Sequence, residues 1–128
     1  MNEVDKRKLN LLVHLAKVDG KYAKSERKLL QQFIAEKGLS YDLLEEGGDL
    51  DFNNDYFMEV DTKIELLYWM IRTIQADHIV HEKELTFGRN LASKLNFKKE
   101  IVSYYANKPM GDYQLFQSEI KQLWLSGL

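Results

Sequence analysis

Proline occurs once in this chain, at Pro109, so nearly all of the sequence lacks the residue that costs a helix interior about 3 kcal/mol. Apolar residues recur every three to four positions, and no alternating run with a two-residue hairpin turn interrupts them. The pattern predicts an all-α chain. A first helix is expected from about Asp5 to Val18, with Leu9, Leu12, Val13 and Ala16 on one face, broken by Asp19-Gly20. A second runs from Lys24 to Lys37, burying Leu29, Leu30, Phe33 and Ile34, and Gly38 stops it. Ser40 suits the N-cap of a short third helix carrying Leu43 and Leu44.

Residues Gly47 to Asp61 form the one long connection, with Phe52, Tyr56 and Phe57 as expected anchors. A fourth helix follows from about Asp61 to Ala76. Val60, Ile64, Leu67, Ile71 and Ile74 mark its stripe, and Leu66, Tyr68, Trp69 and Met70 extend apolarity around the cylinder. That breadth predicts a central helix. Three more are expected near Glu82–Leu95, Lys98–Ala106 and Asp112–Leu125, the last with Tyr113, Phe116, Ile120, Leu123 and Trp124 on one face.

A length of 128 residues suits one domain spanning 1–128, able to bury a core without a disulfide or metal staple. Eighteen bases against twenty acids leave a net charge of -2, no electrostatic footprint for nucleic acid. The absence of cysteine excludes disulfides, thiolate catalysis and cysteine-ligated metal sites. The charged start does not read as a secretory signal, and the longest apolar run, Leu66 to Ile71, is far shorter than the ~20 residues a membrane helix needs. A cytoplasmic protein is the expectation.

Sliding the chain over itself by 58 residues brings Asp19 onto Asp77 and Glu26 onto Glu84, so each copy contains Asp-x6-Glu. Apolar positions coincide in the same register: Leu11 with Trp69, Leu12 with Met70, Val13 with Ile71, Leu29 with Phe87, Phe33 with Leu91 and Leu39 with Phe97. The helix breaks coincide too, Gly38 with Asn96, the residue types that best accept a left-handed C-cap. An internal repeat of a three-helix unit, about 9–46 and 67–104, gives about seven helices: two pseudo-symmetric halves plus a C-terminal helix.

Each Asp is expected where one helix ends, and each Glu in the first turn of the next. Two explanations fit. The acids can cap helices and meet the positive end of the helix dipole, worth ~0.3–1 kcal/mol. Alternatively, pseudo-symmetry brings four carboxylates together around a cation, and hard oxygen ligands select Ca²⁺, Mg²⁺ or Mn²⁺ over softer ions. His78 and His81 stand beside the second pair and are possible additional ligands, a set that would also admit Zn²⁺. Asp49-Leu50-Asp51-Phe52-Asn53 imitates an EF-hand opening, but Asn54 stands at the glycine position and Val60 at the bidentate glutamate position. His14, among apolar neighbours, reads as a partly buried packing residue.

Ala16-Lys17-Val18-Asp19-Gly20-Lys21-Tyr22 with Glu26, and Ile74-Gln75-Ala76-Asp77-His78-Ile79-Val80 with Glu84, resemble the duplicated ADG-x5-E signature of the tellurite-resistance TerB-like family. The similarity covers about Leu9 to Val102. It implies a helical bundle of two pseudo-symmetric halves and an acidic cluster connected with divalent metal, here Asp19, Glu26, Asp77 and Glu84. It also implies a role in tellurite or general chemical stress, often within larger, sometimes membrane-associated assemblies. The second copy departs from the signature, with His78 in the glycine position, and no His-Pro-Asp tripeptide of a co-chaperone is present.

No phosphate loop, nucleophile elbow or dinucleotide fingerprint is found, so the expectation is a non-enzymatic, divalent-metal-responsive adaptor with a protein partner. One alternative is a metal-independent interaction module, using apolar surface such as Phe116 and Trp124 of the final helix. The other is a metal-dependent hydrolase built on His78 and His81.

Overall fold

Helical periodicity with few interruptions produces six α-helices and no strand among the described residues. The computed structural model describes residues 3–18, 23–40, 57, 59–76 and 80–123. The helices are α1 (Glu3–Lys17), α2 (Lys24–Lys37), α3 (Val60–Gln75), α4 (Glu82–Lys94), α5 (Glu100–Ala106) and α6 (Tyr113–Leu123), forming an all-α bundle. The expected short helix with Leu43 and Leu44, and most of the long connection from Gly47 to Asp61, lie outside the described residues. Of the three expected anchors, Phe57 is described, and it is buried at 1 % exposure.

The central position falls to α3, which packs against every other described helix. Ile64, Leu66, Leu67, Trp69, Met70, Ile71, Thr73 and Ile74 are its buried residues, and they occupy more than one face of the cylinder. Thr73 enters the core because its hydroxyl donates to the Trp69 carbonyl at 2.8 Å, one turn back. Val60 corrects the expected stripe. It is the first residue of the helix and stays 38 % exposed, whereas the buried stripe begins one turn later at Ile64.

Both hairpins end alike. Gly38 and Asn96 adopt left-handed backbone, with φ 67° and 68°, and are the only described residues with positive φ. Beyond them the Leu39 N–H donates to the Ile34 carbonyl at 3.0 Å, and the Phe97 N–H to the Ala92 carbonyl at 2.9 Å. These are the long bonds of a Schellman ending, and the residue after each turn, Leu39 or Phe97, is buried. All of these pairs are separated by 58 positions.

Two further features fix the packing. A Cβ at Gly88 would meet Val102 Cγ1 at 3.1 Å and Ile74 Cδ1 at 3.3 Å, so glycine lets α4 approach α3 and α5 closely. In α6, Phe116 and Ile120 face inward, with the Phe116 ring 5.1 Å from Tyr105 and 5.4 Å from Tyr68. Phe116 is therefore core, 3 % exposed, which corrects its expected place on a partner-binding face. Trp124 lies outside the described residues.

A polar clamp joins the first three helices. Lys8, almost wholly buried on α1, places Nζ 2.8 Å from Glu65 Oε1 on α3 and 3.5 Å from Asp5 Oδ1. Lys37, at the end of α2, reaches the same Glu65 oxygen at 2.8 Å. Burial alone would raise the Glu65 carboxyl, but the hydrogen bonds from Lys37 and Lys8 outweigh it and hold the group below its ordinary 4.5. A carboxyl depressed in the folded state contributes stability above its unfolded pKa and loses it as pH falls through the folded value. Glu65→Gln is expected to cost about 1–2 kcal/mol in urea unfolding at pH 7, because charge-assisted bonds are lost. That difference should shrink as the pH is taken below about 4.5.

At Gly38 an added Cβ would have nothing within 4 Å, so a substitution there tests backbone conformation alone. Gly38→Ala is expected to lower stability by about 1–2 kcal/mol, and Gly38→Asn, copying Asn96, by clearly less. Thermal unfolding of the two variants side by side checks this.

Candidate functional site

Helices α2 and α4 begin in the same way. Ala23 (φ -65°, ψ 149°) and His81 (φ -92°, ψ 133°) are extended N-cap residues, and neither side chain caps its helix. The first helical bonds match, Arg27 N–H to the Ala23 carbonyl and Leu85 N–H to the His81 carbonyl, both at 3.0 Å. Glu26 and Glu84 therefore occupy the third position of their helices, where a carboxylate meets the positive end of the dipole. Glu26 Oε1 accepts the Ala23 N–H at 3.0 Å, a half capping box supplied by the glutamate alone.

Their burial separates these two acids from ordinary caps. Glu26 is 2 % exposed and Glu84 0 %, whereas Glu82, two residues earlier on α4, is exposed and ion-paired with Arg89 at 3.5 Å. A carboxylate is withdrawn from water at large cost unless donors or a cation compensate it. The Ala23 N–H supplies part of that compensation at Glu26.

Of the six expected ligands, Glu26, Glu84 and His81 are described, with His81 half-buried at the α4 N-cap. Asp19, Asp77 and His78 lie outside the described residues. Among the described residues no three His, Asp or Glu side chains gather into a group able to hold a metal ion. A site of that size built on Glu26 or Glu84 has to draw on residues beyond those described.

Sequence reading missed other charged groups with defined partners. The Lys8–Glu65–Lys37 clamp is one; its signal was a lysine next to Leu9 on the face that also carries Leu12 and Leu15. Another is Asp61, whose carboxyl accepts from Lys121 at 2.9 Å and from Gln117 at 3.0 Å, fastening α6 to the start of α3. The hydrogen bond and charge of Lys121 lower the Asp61 carboxyl below its ordinary value. Nearby, burial pushes the Tyr113 phenol up to about 12, helped by the charges of Glu65 and Asp61. A third is Arg72, whose guanidinium lies over the Trp69 ring at 4.7 Å and the Tyr68 ring at 5.5 Å. Positions 68, 69 and 72 have the i, i+4 and i, i+3 spacing that makes such stacking readable.

Glu26→Gln keeps an acceptor for the Ala23 N–H, whereas Glu26→Ala removes it. The alanine variant is expected to lose about 1–2 kcal/mol more than the glutamine variant in urea unfolding with chelator present.

Protein-family models, curated proteins and solved structures were each compared with this chain, and none matches it.

Proposed function

We propose that this protein is a non-enzymatic adaptor of the TerB-like kind, acting in a bacterial tellurite or chemical stress response, whose hold on a protein partner responds to a divalent cation. The observation that carries the reading is the burial of Glu26 and Glu84, 2 % and 0 % exposed, at the same position of two equally capped helices. Capping and dipole stabilisation also operate at wet helix ends, so they do not by themselves call for such withdrawal from water. A cation held by Glu26 and Glu84 with Asp19 and Asp77, assisted by His78 or His81, compensates the buried charge. Oxygen-rich ligation favours Ca²⁺, Mg²⁺ or Mn²⁺ over Zn²⁺. Because α2 and α4 belong to different hairpins, such an ion biases their relative orientation. Partner affinity then changes to the extent that the partner distinguishes the two orientations. The resemblance to TerB-like proteins supports a cytoplasmic setting and a place in a larger, sometimes membrane-associated assembly.

The metal-independent reading, with the acids serving as caps, draws its support from the Ala23–Glu26 bond. Thermal unfolding separates the two. An ion present at ~100 times its dissociation constant adds ~2.7 kcal/mol of stability. Ca²⁺, Mg²⁺ or Mn²⁺ added to chelator-treated protein is expected to raise Tm by several degrees, and Glu26→Gln with Glu84→Gln should abolish the rise while leaving the fold intact. An unchanged Tm with all three ions supports the capping module instead.

A further inference from the structure

Between the first half of α2 and the C-terminal end of α3 lies an open groove of about 400 Å³, to which Met110, from the segment between α5 and α6, also contributes. Among the described residues, its charged lining side chains are Lys28 and Arg72, and no described carboxylate lines it. Neither cation forms an ion pair among the described residues, although the chain as a whole is acidic. Arg72 is held by the faces of Trp69 and Tyr68, contacts that orient its planar fork without using its N–H donors. Gln32, one turn beyond Lys28 on the same face, adds a neutral donor, and Leu29 and Met110 supply an apolar wall. The Gln75 amide at the far end is already committed to the Tyr105 and Ala106 carbonyls.

We infer that this groove docks an acidic segment of a partner protein, with a carboxylate on Arg72 and Lys28 and a neighbouring apolar side chain against Leu29 and Met110. A guanidinium fixed in orientation pairs with a carboxylate through two parallel bonds, the geometry in which such pairs are strongest. The groove is too open to enclose a small molecule, whose pockets cover most of the ligand. Two cations on a chain of net charge -2 do not form the extended basic track that a nucleic acid requires. The inference rests on the adaptor half of the proposed function and is independent of its cation.

The test measures fluorescence anisotropy of labelled six-residue peptides of alternating Glu and Leu, Gln and Leu, or Lys and Leu, with the full chain in EDTA. The Glu–Leu peptide is expected to bind at least ~10-fold more tightly than the Gln–Leu peptide. Arg72→Gln should weaken its binding ~10-fold, Lys28→Gln ~2- to 5-fold, and added NaCl should weaken it progressively. The joint change Lys28→Glu and Arg72→Glu should transfer the preference to the Lys–Leu peptide. Lys28 is exposed, so its variants keep the test decisive if an Arg72 variant unfolds. No binding, equal binding of the Glu–Leu and Gln–Leu peptides, or binding indifferent to both substitutions overturns the inference. So does complete displacement by millimolar inorganic phosphate when NaCl of equal ionic strength has no such effect, which assigns the groove to small anions. Because every measurement is made in EDTA, a failed cation titration and a failed peptide titration remain distinct results.

Discussion

The burial of α3 is the interaction on which the remaining structure depends. Every other described helix packs on it, and its apolar residues extend past the one stripe that a surface helix uses. Trp69 meets Phe33 of α2 edge-on at 5.1 Å, while Ile74 and Met70 lie against the gap that Gly88 leaves in α4. Tyr68 stacks toward Tyr113 and Phe116 of α6. As the first helix of the second hairpin, α3 thus joins α4 to the first hairpin and to α5 and α6, and a change in its packing is transmitted to each. Close-packed interiors transmit such strain because they have no slack to absorb it.

The polar groups admitted to this interior sit where a partner is available. Thr73 bonds back to its own helix, and Lys8 reaches Glu65 and Asp5. Glu26 and Glu84 lie at helix N-termini, where the dipole favours negative charge. The two glutamates hold equivalent places at the start of the second helix of each hairpin. That placement makes them the natural point at which charge could couple the halves.

Much of the fold was legible because the signals were local. The α2 boundaries follow directly from the helical period and the Gly38 stop, and the described extents of the other helices lie within two residues of their expected limits. The pairing of Gly38 with Asn96 was readable because few residue types tolerate left-handed backbone. Tertiary facts were less legible. Nothing local to Val60 reveals that its side chain stays exposed, and nothing local to Phe116 distinguishes a core face from a docking face. Lys8 joins the core through Glu65, a partner far along the chain that periodicity does not reveal. For the candidate site, spacing alone placed Glu26 and Glu84 in first turns, while their near-complete burial emerged only with the packed helices.

In the proposed account, one ion is shared by the two hairpins, because an ion on one glutamate alone could not tie α2 to α4. Substoichiometric Mn²⁺ added to isotopically labelled protein tests that sharing directly, since the paramagnetic ion broadens amide signals close to it. The account predicts that the amides of residues 23–27 and 81–85 broaden together at the same Mn²⁺ ratio, and that Glu84→Gln relieves both. Broadening confined to one of the two segments, or spread over the exposed acids without preference for either, would contradict it.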